Sequence, residues 1–167
     1  PRDLIARESA DRFVVFVKTA DEDQIRAAFE KISQAVKSFS HGLSLTVKAG
    51  VRSELGAQID ATATVERAKA ACEYITDHAD EDILFHTDEL ERELVFQHYI
   101  ITGFDEALEK GYIQPFYQRE IRTLTGQNCG YEALARWVDG RYGMISPGVF
   151  IPLFEKNGLI MQLDRYV

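Results

Sequence analysis

Gly130-Tyr131-Glu132-Ala133-Leu134-Ala135-Arg136-Trp137 sets the architecture of the second half of the chain. It has the composition of a strand. Side chains alternate across a strand with a period of two, so Glu132, Leu134 and Arg136 point to the same face. A carboxylate and a guanidinium on one face suit a metal-bound phosphate, the first for a hard cation and the second for phosphate oxygens. The spacing alone equally suits a structural Glu–Arg ion pair on an exposed strand face. Upstream, Phe116-Tyr117-Gln118-Arg119-Glu120 lies in a second strand over residues 115–121, and Thr125-Gly126 marks the turn between the two.

Working outward, Ser146-Pro147 reads as an N-cap followed by proline at the first helical position. That helix runs to about Asn157 with Gly158 at its stop, and Pro152 is a candidate kink. A last helical segment begins near Leu159. Residues 88–110 read as a long helix, with Gly103 as its break and Gly111 as its end. Asp88 followed by Glu91 forms a candidate capping box. Earlier, residues 13–17 read as a short buried strand and residues 21–39 as a helix. Ile25, Phe29, Ile32, Val36 and Phe39 share one face of that helix, and Gly42 follows it. Residues 43–51 alternate as a half-buried strand, residues 64–76 are helical, and residues 83–85 form a short strand. The order is mixed α/β.

The chain has 167 residues with a formal net charge of −8, which argues against a nucleic-acid polymer as partner. Residues 1–97 hold 12 Lys and Arg against 19 Asp and Glu, and residues 98–167 hold 7 against 8. The excess concentrates between Asp77 and Glu93, a run best read as a solvated connector. No run of about 18 apolar residues spans a membrane. Cys72 and Cys129 cannot make a disulfide framework, and both read as packing residues. His41, His78, His86 and His98 lack metal-ligand spacing.

Glu132-Ala133-Leu134, in the fuller form Gly-Tyr-Glu-Ala-Leu-Ala-Arg-Trp, resembles the signature of EAL cyclic di-GMP phosphodiesterases. Tyr117-Gln118 and Thr125-Gly126 lie at the family's spacing upstream. Ile145-Ser146-Pro147, Phe150-Ile151-Pro152, Glu155 and Gly158-Leu159-Ile160 keep its register downstream. The resemblance covers residues 101–167. It implies a TIM-type barrel whose first strand runs against the others, of which residues 98–167 would be the beginning, since such barrels need about 250 residues. The implied activity is hydrolysis of one phosphodiester bond of cyclic di-GMP to pGpG, with Mg²⁺ or Mn²⁺. By motif position Glu132 is a catalytic metal ligand, Leu134 lines the nucleotide pocket, Arg136 contacts a phosphate and Gln118 contacts the substrate. Arg119 stands where the family usually has proline. The family's remaining metal ligands and its essential Lys belong beyond Val167, so this chain alone is expected to be inactive.

The first half resembles the later part of a GGDEF diguanylate cyclase domain, a frequent neighbour of EAL domains. Ser9-Ala10-Asp11-Arg12-Phe13 stands at the signature, where only Asp11 and Phe13 agree with it. Ser9 and Ala10 add Cβ atoms where the backbone must approach a nucleotide, and Arg12 replaces a carboxylate. The resemblance therefore implies no cyclase activity. Asp3 falls at the Asp position of the family's allosteric Arg-x-x-Asp motif.

The expected organisation is a degenerate GGDEF-like part over 1–87, a connector helix over 88–100 and the EAL part over 101–167. The resemblance implies a cytoplasmic domain and leaves open a membrane anchor before Pro1 and a homodimer through the EAL part or the connector. The competing functions are a receptor that binds cyclic di-GMP without hydrolysis and a purely structural interaction piece. Glu155 and Trp137 read as structural.

Overall fold

A computed structural model describes residues 3–18, 21–39, 45–54, 59–77 and 81–167. The expectations placed on His41, Gly42, His78 and Asp80 lie outside these residues. The chain divides into two compact units, Pro1–Glu91 and Arg92–Val167.

The first unit opens with a hairpin. Strands β1 (Leu4–Arg7) and β2 (Phe13–Phe16) pair antiparallel, Leu4 across from Phe16 and Arg7 across from Phe13. The expected buried strand is therefore a strand, but Phe13, Val15 and Phe16 are exposed in this two-stranded ribbon, which the described residues leave uncovered there. Helix α1 (Glu22–Phe39) starts at Asp21, whose carboxylate accepts from the amides of Asp23 and Gln24 at 3.0 and 3.2 Å. Its inner face is Ile25, Phe29, Ser33 and Val36, while Ile32 and Phe39 of the expected stripe are exposed.

Of the expected alternating strand over 43–51, residues 45–51 are described, and among them Ala49–Val51 is β-structure. This strand, β3, pairs in parallel with β4 (Ile83–Phe85), and three residues are all β4 offers it. Helix α2 (Ala61–Asp77) is capped by Asp60, which accepts from Thr62 and Ala63. It packs directly on β3 at Gly50. A Cβ there would lie 1.9 Å from the carbonyl oxygen of Ala68 and 2.4 Å from the nitrogen of Cys72, so only glycine lets helix and strand approach this closely. Lys48 donates to the carbonyl oxygens of Ile75 and Glu81, placing a cation at the negative end of α2.

Helix α3 (Asp88–Thr102) starts in this unit and continues into the second. Its cap is Thr87, whose Oγ1 accepts from the Leu90 amide at 3.2 Å and whose carbonyl accepts from Glu91. The expected Asp88–Glu91 box is thus displaced by one residue. Glu91 turns instead to His86, 3.0 Å away.

In the second unit α3 breaks at Gly103, as expected, and α4 (Phe104–Glu109) follows. Gly111, at φ 67°, then reverses the chain in a conformation that side chains disfavour. Strands β5 (Ile113–Ile121), β6 (Asn128–Asp139) and β7 (Gly143–Ile145) form an antiparallel sheet in that order. Helix α5 (Pro147–Lys156) has the predicted cap, with Ser146 Oγ accepting from Gly148, and α6 (Ile160–Tyr166) closes the chain.

The core of this unit is Ile100, Phe104, Ala107, Ile113, Trp137, Ile145, Phe150, Phe154 and Leu163. Each buried large side chain contributes about 1.5–3 kcal/mol. Ile113, Trp137 and Ile145 form one rung across all three strands, facing the helices. Trp137 Nε1 is buried without a hydrogen-bond partner among the described residues, so packing alone holds the ring. No sheet closes into a barrel among the described residues.

Candidate functional site

The face of β5–β6 opposite this core carries the predicted residues. Gln118 stands across from Glu132, Phe116 from Leu134, and Gln114 from Arg136. Strand alternation then puts Gln118, Glu132, Leu134 and Arg136 on one face. Sequence reasoning already placed the last three together. It did not supply the cross-strand pairing of Gln118. That pairing depends on the hairpin, where Thr125 and Gly126 donate to Arg122 and a bulge leaves Cys129 without a strand partner. Cys129 is exposed there, so it is not the packing residue its composition suggested.

The rungs follow one another along the ribbon, with residues two apart separated by about 7 Å. Glu132 and Gln118 are exposed, while Leu134 and Arg136 are half-buried. One Arg136 N–H donates to the Ala135 carbonyl at 2.9 Å. Glu132 and Arg136 stand about 13 Å apart along the strand and do not pair with each other, so this is not the structural ion pair that spacing alone allowed. Glu120, which sequence reasoning passed over, faces the same way across from Gly130. Its Oε2 lies 3.0 Å from where a Cβ of residue 130 would be. The alternation of Phe116, Gln118 and Glu120 was the signal for it.

A hard divalent cation prefers several oxygen ligands. Glu132 is a donor of the right chemistry, but no group of three or more Asp, Glu, His or Cys converges as a metal site among the described residues. Glu155, on α5, is exposed.

The hairpin of the first unit is arranged differently. Arg7 donates to the carbonyls of Ser9 and Ala10 at 3.0 and 2.6 Å, and Ser9 Oγ donates to Asp11 at 3.2 Å. Arg12 pairs with Glu73 of α2 at 3.5 Å, and Lys69 of α2 pairs with Glu8. Asp3 is exposed. The turn thus spends its polar groups on itself and on α2.

Two clusters, around the buried His86 and the buried Asp139, escaped the sequence. His86 lies between Glu91, on its Nε2, and Arg52, whose Nη1 is 3.5 Å from Nδ1 and donates to the His86 carbonyl at 3.1 Å. Arg52 and Arg67 share Glu54 at 2.9 and 3.3 Å. Burial, joined by the two arginines, pushes the His86 pKa below its ordinary value against the pull of Glu91. In the second unit the Tyr99 hydroxyl donates to Asp139 at 2.7 Å, and the amides of Arg141 and Tyr142 donate to the other carboxylate oxygen. The bond to Asp139 and burial push Tyr99 up to about 12. Burial raises Asp139, but the donors outweigh it and hold its pKa below the usual range.

The EAL domain family matches residues 103–167, which contain this whole face. The match takes in most of the second unit. Over 170 residues the chain is 28% identical to the bifunctional diguanylate cyclase/cyclic di-GMP phosphodiesterase MucR of Pseudomonas aeruginosa, covering 99% of this chain and 25% of that protein. Over 59 residues it is 49% identical to the probable cyclic di-GMP phosphodiesterase PdeG of Escherichia coli, covering 35% of this chain and 12% of that protein. A solved S helix-GGDEF-EAL structure of Vibrio cholerae LapD, bound to c-di-GMP, aligns with 98% of the chain and 39% of its own length. Its TM-score is 0.51 at 19% identity, a likeness of fold. The chain spans a quarter or less of the length of these curated relatives. The expected mixed α/β class, with strands of an EAL fold that do not close, agrees with this neighbour. No helix among the described residues is long and apolar enough to cross a membrane.

Proposed function

We propose that the full-length protein carrying this chain is a phosphodiesterase that hydrolyses cyclic di-GMP to pGpG. The observation that carries this reading is the common face of Gln118, Glu132, Leu134 and Arg136 within the residues that match the EAL family. In it Glu132 is a ligand for Mg²⁺ or Mn²⁺, Arg136 holds a substrate phosphate, Leu134 lines the nucleotide pocket and Gln118 orients the substrate. The bound ions supply activation of water and stabilisation of the leaving oxygen. Glu132 alone cannot complete a coordination shell.

In the same reading residues 1–87 are a degenerate GGDEF-like regulator, 88–100 a connector helix and 101–167 EAL sequence. The absence of cyclase activity is supported by the turn at Ser9, Ala10, Asp11 and Arg12. Its cation is held by Glu73, and its backbone carbonyls are already occupied by Arg7.

The test is cyclic di-GMP turnover by the full-length protein with Mg²⁺ or Mn²⁺, beside Glu132→Ala. We expect pGpG from the wild type and none from the variant. Binding of cyclic di-GMP without turnover by the wild type would instead establish a receptor.

A further inference from the structure

We propose that Phe116 is a substrate-binding residue of this site, its ring forming with Leu134 an apolar wall on which one guanine of cyclic di-GMP packs. The proposal rests on the phosphodiesterase reading above and adds to it a base-contacting side chain.

The face presents its side chains as rungs. Gln114 with Arg136 is followed by Phe116 with Leu134, then by Gln118 with Glu132. An apolar rung therefore lies between two polar ones, each about 7 Å away. That sequence of surfaces matches a nucleotide. A purine offers a flat apolar face to an aromatic ring, and the phosphate attached to it needs a guanidinium. Arg136 sits on the next rung, about 7 Å along the strand.

Phe116 stands apart from the other phenylalanines of the second unit. Phe116 is 47% exposed. The core cluster and the side chains packed against it do not include it. Every other phenylalanine of the second unit joins that core or packs on it, namely Phe96, Phe104, Phe150 and Phe154. Leu134, directly across, is half-buried and gives the ring an apolar neighbour without covering it.

The experiment uses the full-length protein and cyclic di-GMP. Phe116→Ala should raise KM and the dissociation constant roughly 10-fold or more, the loss expected for one base–aromatic contact, and change kcat by less than about 3-fold. Phe116→Tyr should restore affinity, since the ring is kept. Phe116→Trp should show an emission change that saturates with added cyclic di-GMP and is absent from the wild type. Normal turnover and binding in Phe116→Ala, or an unresponsive tryptophan in a Phe116→Trp protein that still binds, would overturn the proposal and leave the phosphodiesterase reading intact. A wild type that neither binds nor hydrolyses cyclic di-GMP would overturn both. Should Phe116→Ala fail to fold, Phe116→Leu keeps the volume and removes the ring, and its unaltered affinity would count against the proposal.

Discussion

Two hairpins, one in each unit, stand where the sequence resembles a family signature, and they treat their polar groups in opposite ways. At β1–β2 the turn is closed on itself. Arg7 takes the carbonyls of Ser9 and Ala10, Ser9 takes Asp11, and Glu73 takes Arg12. At β5–β6 one face is packed on the core through Ile113 and Trp137. The other presents Gln118, Glu132 and Arg136 without an ion pair between the charged two. Polar groups left open on a rigid ribbon can bind a ligand, while groups already paired must first be released. The residues around a signature therefore say as much about its competence as the signature does.

The sharpest way to test this contrast beyond Glu132 is Arg136. Arg136→Ala in the full-length protein should raise KM for cyclic di-GMP by roughly 10- to 100-fold, the range of a lost charge-assisted hydrogen bond. Arg136→Lys should recover only part of it, because an ammonium cannot make the planar two-point contact of a guanidinium. Steady-state kinetics on both variants decides the matter, and an unchanged KM would remove Arg136 from the site.

The next effect concerns what holds the open face in place. Asp139 ends β6 and ties α3 to the sheet through Tyr99 while accepting the amides of Arg141 and Tyr142. Asp139→Asn should cost about 1–3 kcal/mol in urea unfolding of the second unit, since three donors lose a charged acceptor. Tyr99 should ionise well below its value of about 12, returning toward an ordinary phenol in an absorbance titration. The wild type should also lose stability as acid is added. Asp139 is held below its unfolded pKa, so its contribution is present above the unfolded value and disappears as pH falls through the folded one.

How much of this was legible follows from the range over which each signal acts. The common face of Glu132, Leu134 and Arg136 needs only the two-residue period of a strand. The cap at Ser146, the break at Gly103 and the reversal at Gly111 are equally local. Burial of residues 13–17 was misjudged because an apolar run predicts a strand and not what covers it. Strands β1 and β7 are four and three residues long and lack a pattern of their own. The pairing of Gln118 with Glu132 depends on a bulge at Cys129 that composition does not announce. The His86 cluster draws Arg52, Glu54, Arg67 and Glu91 from separate parts of the chain, and only folding assembles it.

That cluster gives a smaller, pH-dependent effect in the first unit. His86 has a folded pKa below its unfolded value, so the unfolded chain binds the proton more readily. Stability should hold above the unfolded pKa and fall as pH drops below it, because burial, joined by the nearby Arg52 guanidinium, disfavours the charged ring. His86→Gln should flatten this part of the profile, read as the urea midpoint of the first unit between neutral and mildly acidic pH. An identical slope in the variant would assign the effect elsewhere.

The smallest effect belongs to the closed hairpin. Arg12 and Glu73 are 3.5 Å apart, but both side chains are more than half exposed, at 59% and 65%. Water already solvates each charge there, and the pair must immobilise two long side chains to form. Arg12→Ala should therefore change stability by less than about 0.5 kcal/mol, within the error of most denaturation curves, and leave the first unit folded. It should also leave the full-length protein without cyclase activity. Removing the cation frees Glu73 but leaves Ser9 and Ala10 where the GGDEF signature that this hairpin resembles has glycines, and puts no carboxylate at position 12. Synthesis of cyclic di-GMP from GTP by Arg12→Ala would show that the pair alone had silenced this hairpin, and the contrast between the two ribbons would then rest on one reversible contact.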